Sequence, residues 1–375
     1  IFPEYLYDPG LFFDEDGKVY VVHGQGTLYL TELNSDVKSV KGKPVKIWQG
    51  GFKNAHELGG GFGMEGSHMY RINGKYYITC PAGGTGGWQI CLRSDNIYGP
   101  YEHKLIMNDW SSYPENGLHQ GGMVQLKNGD WWFMIMQDRG PIGRVPCLVP
   151  VKWIDGWPML GDEGKDLITY PKPATGKKSK IKSPATTDEF NASQLGLQWQ
   201  WNHNPDNSRW SLKERKGYMR LYASQASTLK DARNTLTQRV QGPSCEGSVE
   251  MEVTGLKDGN IAGFGIFEFP YAYVAIRQES GRRKIVMCND GKDIETVEHF
   301  NGDKLWIRVR ATDKEFKALF YYSLDGVNYK RIGNELQMGL GLPWTANRFA
   351  LFNFNTTPQG NNGYADFNWF RFTNK

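Results

Sequence analysis

Two acidic residues stand at matching places in a repeating pattern. Asp8, in Leu6-Tyr7-Asp8-Pro9-Gly10, immediately precedes one hairpin-like segment, and Glu65, in Gly63-Met64-Glu65-Gly66-Ser67-His68, immediately precedes the next, 57 residues further on. Equivalent positions in successive units project toward a shared axis, so the two carboxylates are expected to converge. Cleavage of a glycosidic bond needs such a set: one protonated acid for the leaving oxygen, and other carboxylates to keep it protonated, activate water and support charge at the anomeric carbon. Taken singly, each acid also fits a turn former or cap, since Asp-Pro and Glu-Gly are ordinary loop dipeptides.

Other side chains join this group. Tyr7, beside Asp8, is a candidate sugar contact. His119, in Leu118-His119-Gln120-Gly121-Gly122, precedes a third hairpin in the same way; a metal ligand, a substrate contact and a histidine that only hydrogen-bonds within the axial core all fit it. Arg144, in Gly143-Arg144-Val145-Pro146, could hold sugar hydroxyls or orient a carboxylate through its planar fork, and a surface arginine fits as well. The stretch Ala82-Gly83-Gly84-Thr85-Gly86-Gly87-Trp88 lacks the GK[ST] ending of a phosphate loop and reads as a loop near the pocket, with Trp88 a candidate exposed platform for a sugar ring.

The elements that must carry these residues are strands. Phe12–Val22, Met69–Ile78 and Val124–Phe133 each place two aromatic or β-branched runs around a tight Asp-Gly or Asn-Gly turn, with the turn glycines at 17, 74 and 129. Such turns need a positive φ that glycine supplies. Their spacings of 57 and 55 residues, with several strands per unit and almost no helical periodicity, point to propeller blades. Residues 1–170 hold about three units, whereas a propeller closes with roughly four to eight. The propeller is therefore expected to be N-terminally incomplete, with further blades upstream of Ile1.

Residues 171–184, rich in Lys, Pro and small residues, read as a solvated linker. From 185 to 375, segments such as Gly247–Val253, Ala272–Ile276, Leu305–Arg310 and Ala318–Ser323 alternate at period two, predicting a second all-β domain built as a two-sheet sandwich.

Composition excludes several classes. The 375 residues exceed one ordinary core. A net charge of +4, spread along the chain, does not build the concentrated positive face that nucleic acid demands. Five cysteines, widely spaced and without a CxxC pair, indicate neither a zinc site nor a disulfide framework. No run approaches the ~18 apolar residues of a membrane span. The sequence starts at Ile1 with neither Met nor a signal-like segment, so cellular address is not legible, although a polysaccharide substrate favours a periplasmic or secreted location over a cytoplasmic one.

The runs Tyr7–Asp14 and Met64–Tyr70 and the ending Trp153-Ile154-Asp155-Gly156-Trp157-Pro158 together resemble glycoside hydrolase family 43, more narrowly the β-xylosidases and α-L-arabinofuranosidases with an extra C-terminal sandwich. Asp188-Glu189-Phe190, Leu197–Pro205 and Gly363–Phe370 are similar to recurring phrases of that second domain. The resemblance implies a five-bladed propeller followed by a concanavalin-like β-sandwich, and an inverting site of three acids. Glu65 then falls at the general acid, Asp8 at the aspartate that tunes and orients it, and His119 and Arg144 at positions in the axial pocket, the histidine sometimes near a calcium ion. No cofactor is required. The general base of the family lies in a Pro-Asp-Pro-like segment of the first blade, and no such segment occurs in this sequence. Trp344 corresponds to an aromatic that similar sandwiches extend into the pocket; a core role fits it equally.

The expected activity is thus exo-acting release of xylose or arabinose from hemicellulose oligosaccharides by single displacement, with acid and base roughly 6.5–9.5 Å apart. Two other readings are a carbohydrate-binding protein without turnover, if the chain is natively this short, and a retaining fructan hydrolase. The latter expects an Arg-Asp-Pro triplet and a Glu-Cys dipeptide, where this chain has Tyr7-Asp8-Pro9 and Glu65-Gly66.

Overall fold

A computed structural model describes residues 5–49, 64–82, 88–108, 117–165, 169–176, 180, 182–312, 314–339, 344–358 and 362–375. The chain divides into two compact units, one of residues 1–138 and 145–179, the other of residues 139–144 and 180–375. Among the described residues the secondary structure is strand, apart from short helical turns at Gly140–Ile142 and Leu229–Asp231. Among the described residues, no helix is long and apolar enough to cross a membrane.

The first unit holds three four-stranded antiparallel sheets, each made of consecutive strands. Strands β1 (Gly10–Phe13), β2 (Val19–His23), β3 (Thr27–Leu33) and β4 (Val45–Gln49) form the first, and β5 (His68–Ile72), β6 (Lys75–Ala82), β7 (Trp88–Ser94) and β8 (Glu102–Asn108) the second. The third contains β9 (Leu118–Gln125), β10 (Trp131–Asp138), β11 (Arg144–Ile154) and β12 (Trp157–Leu160). The three expected hairpins are β1–β2, β5–β6 and β9–β10, and their turn glycines 17, 74 and 129 have φ of 82°, 79° and 93°.

Alternation gives each sheet two faces, and the first sheet is apolar on both. Phe12, Tyr20, Val22, Leu28 and Leu30 pack with Met69, Ile78 and Ile90 of the second sheet. On the opposite face Leu11 pairs with Val21 and Phe13 with Val19. There Val19, Val21 and Leu33 are buried beneath Leu6, Val37 and Val40, while Leu11 and Phe13 remain 49% and 63% exposed. A cleft of about 440 Å³ on this face is lined by Tyr5, Leu6, Pro9, Leu11, Val21, Leu33 and Val37.

The second unit is a sandwich of two eight-stranded sheets. One runs, in spatial order, Gln200–Trp201, Leu236–Arg239, Arg348–Asn355, Asn260–Phe267, Ala272–Glu279, Arg282–Asn289 and Lys292–Val297, with Ser224–Gln225 added parallel to Arg348–Asn355. The other runs Trp210–Ser211, Met219–Tyr222, Tyr364–Asn374, Ser244–Glu252, Lys304–Thr312, Lys317–Ser323 and Lys330–Arg331, with Leu336–Gln337 against Lys317–Ser323. Inward residues of both sheets form one core, in which Phe264 stacks 5.7 Å from Phe349 and meets Phe370 edge-on at 5.9 Å.

Candidate active site

The first turn of the site is built by backbone. Between β2 and β3 the chain reverses at Gly24-Gln25-Gly26; Gly24 N donates to Tyr7 O and Gly26 N to Met64 O, both at 2.9 Å. These carbonyls belong to the residues immediately before Asp8 and Glu65. The segments that carry the two acids are therefore stitched to opposite sides of one turn. Asp8 itself is exposed, with φ of 45°, a conformation that aspartate tolerates better than most residues.

Glu65 is only partly exposed, and its Oε2 accepts two hydrogen bonds: 2.8 Å from Gln25 Nε2 and 3.2 Å from the Tyr7 hydroxyl. The negative charge of Glu65 is the chief cause that raises the Tyr7 phenol above its ordinary value, so Tyr7 stays protonated and able to donate. Tyr7 is thus the direct link between the Asp8 segment and Glu65.

A bulge in β9 shapes the neighbouring wall. Gly121 pairs with Ile135 and His119 with Met136, leaving Gln120 as the extra residue with φ of 54°. Its freed N–H donates to Gln89 Oε1 at 2.9 Å. The Gln120 side chain lies against Gly66, where an added β-carbon would come 2.3 Å from Nε2. Gln89 is fully buried, and its Nε2 has no hydrogen-bond partner among the described residues.

His119 is 3% exposed, and its Nε2 lies 2.9 Å from Oδ2 of Asp138, which is itself 0% exposed. Hydrogen bonding within the core is what the structure shows for this histidine. Calcium takes about six to eight oxygen ligands. No group of three or more His, Cys, Asp or Glu side chains converges among the described residues.

Trp88 differs from expectation. It opens β7 and is 6% exposed, in the apolar core with Ile90 and Ala82. A ring so enclosed has no free face for a sugar. The preceding residues 83–87 of the glycine-rich stretch lie outside the described residues.

Within the second unit, Arg144 and Trp344 come together. The Arg144 guanidinium carbon lies 5.3 Å from the Trp344 ring centre, and Trp344 is 47% exposed with φ of 62°. Residues 139–144 connect β10 to β11 in sequence. Arg239 Nε donates to Ile142 O at 3.0 Å and its Nη2 donates to Arg144 O at 3.0 Å. Asn347 N donates to Pro141 O at 2.7 Å.

Gln25, Gln89, Gln120 and Asp138 were not singled out by sequence reasoning. Only Gln25 left a local trace, a residue bracketed by two glycines at a hairpin turn. Consecutive four-stranded antiparallel sheets followed by a two-sheet sandwich define a propeller-plus-sandwich protein. Residues 4–158 match glycosyl hydrolases family 43, and residues 187–373 match the beta xylosidase C-terminal concanavalin A-like domain. The chain belongs to glycosyl hydrolase family 43. It is 33% identical to a putative beta-xylosidase of Xylanibacter ruminicola over 89% of this chain and 62% of the relative, and 30% identical to a beta-xylosidase of Formosa agariphila over 98% and 70%. A solved structure described as bifunctional GH43-CE, from Bacteroides eggerthii, superposes with a TM-score of 0.86 at 38% identity, covering 99% of this chain and 48% of that one. The chain thus spans 62% of the first of these relatives and about half of the solved chain. A fructan hydrolase is not the family matched.

Proposed function

We propose that this chain carries the acid half of an exo-acting, inverting glycoside hydrolase that releases xylose or arabinose from hemicellulose oligosaccharides. The observation that carries the reading is the Glu65 carboxylate, held by Gln25 and Tyr7 at the meeting of the first two sheets. In a single displacement, water forms a bond to the anomeric carbon while the bond to the leaving oxygen breaks. Glu65 gives its proton to that oxygen, and an aspartate takes the proton from water. Asp8 is assigned to orienting Glu65 from the segment that Tyr7 links to it. Tyr7 in the first unit, and Arg144 with Trp344 in the second, are assigned to substrate contact.

The water-activating aspartate and the remaining blades of a five-bladed propeller are assigned to residues outside this sequence. What supports this is the doubly apolar first sheet: Leu11, Phe13 and the cleft beside them present a face of the kind that another sheet covers. The full-length protein tests the reading through the anomer first released from a xyloside or arabinofuranoside, followed by NMR. Inverted sugar is expected; a retained configuration, or no release from either substrate, would overturn it.

A further inference from the structure

We propose that Gln25 is a positioning residue that fixes which oxygen of Glu65 carries the proton to be transferred; the inference rests on Glu65 acting as general acid. Gln25 is held in place twice over. The glycines on either side of it, with φ of 116° and 70°, donate to the carbonyls just before Asp8 and Glu65. A β-carbon at Gly24 would lie 2.2 Å from Thr27 O, so the turn requires glycine there. The tip of this turn cannot drift relative to Glu65 without breaking those bonds.

From that position Gln25 Nε2 reaches Glu65 Oε2 at 2.8 Å, and Tyr7 donates to the same oxygen. An amide nitrogen donates and has no lone pair with which to accept. A proton on Oε2 would face the N–H head-on. The neutral acid therefore carries its proton on Oε1, and both donors sit on the edge away from the transferable hydrogen. During transfer the Oε1–H bond breaks, the leaving oxygen takes the proton as its bond to the anomeric carbon cleaves, and its former bonding electrons remain on it as a lone pair. The Glu65 carboxylate that results shares its new charge with Oε2, where two donors already wait. Those bonds are stronger in the transition state than before it, which is the condition for an interaction to accelerate the step.

The test compares two leaving groups in the full-length enzyme: an unactivated xylo- or arabino-oligosaccharide, whose alcohol must be protonated to depart, and an aryl glycoside of an acidic phenol, which departs without help. Gln25→Met removes the donor at similar volume. It is expected to lower kcat on the oligosaccharide about 10- to 100-fold, less than the roughly 10²–10⁴-fold that a general acid contributes in full, with KM changed less than about twofold and aryl-glycoside kcat within about threefold. Gln25→Glu, which replaces the donor by an acceptor, is expected to show the same split. An equal fall on both substrates, or no fall, would overturn the proposal. Glu65→Gln assayed alongside separates the two claims. If it lacks the split, the reading of Glu65 fails and Gln25 with it. If Glu65→Gln shows the split and both Gln25 variants do not, only the role of Gln25 is lost.

Discussion

The guanidinium of Arg144 lies 5.3 Å from the ring centre of Trp344, and the carbonyl of the same arginine is held by Arg239. Two side chains assigned to substrate contact thus form one arrangement, fixed by a residue that sequence pattern did not mark. Trp344→Ala removes a half-exposed ring and is expected to raise KM several-fold with Tm nearly unchanged. Arg239→Met frees the carbonyls of Ile142 and Arg144 and should raise KM in the same direction. Steady-state kinetics on the full-length enzyme check both; an unchanged KM in each would remove Trp344 from the substrate site.

The buried pair of His119 and Asp138 is a stability element as well. Replacing the imidazole by an apolar side chain, His119→Leu, withdraws a partner from a carboxylate that has no access to water. The expected cost is about 1–3 kcal/mol, read as a lowered Tm in thermal denaturation. A Tm equal to that of the unaltered protein would contradict a holding role for the pair.

Much of this arrangement was legible in the sequence, and the division follows distance along the chain. The hairpins at Gly17, Gly74 and Gly129 and the alternating strands of the sandwich are specified by residues a few positions apart, so pattern sufficed. Asp8 and Glu65 hold matching places in the repeat, and the carbonyls just before them bond to one turn. Partners drawn from elsewhere in the chain left no such trace. Gln89 meets Gln120 across 31 residues, His119 meets Asp138 across 19, and residues 139–144 group with the second unit although they lie between strands of the first. Trp88 misled because β7 is buried on both faces, and a glycine-rich approach says nothing about the exposure of the strand that follows it.

Acid sensitivity should have a local contributor in the turn after Ser323. The Asp325 carboxylate accepts hydrogen bonds chiefly from Asn328 N and Asn328 Nδ2, and also from Val327 N, which hold it well below its ordinary value of 3.8. A depressed folded-state pKa stabilises above the unfolded value and is lost as pH falls from there toward the folded one. The Tm advantage of the unaltered protein over Asp325→Asn is therefore expected to be constant above about pH 5 and to shrink below about pH 4. A difference that widens on acidification would reverse the sign of this argument.

Leu11 and Phe13 test whether another sheet covers the first. Aspartate at an exposed position changes stability by about 0.5 kcal/mol or less, whereas burying an unpaired charge in an apolar interface costs several-fold more. Leu11→Asp and Phe13→Asp in the full-length protein are expected to lower Tm sharply or prevent folding. Variants as stable as the parent would leave this face uncovered and count against the additional blades.

Proton donation by Glu65 is tested directly by one comparison. In the full-length enzyme, Glu65→Gln should lower kcat/KM for unactivated xylo- or arabino-oligosaccharides by about 10²–10⁴-fold while largely sparing aryl glycosides with acidic leaving groups. Oligosaccharide hydrolysis at the parental rate would contradict it.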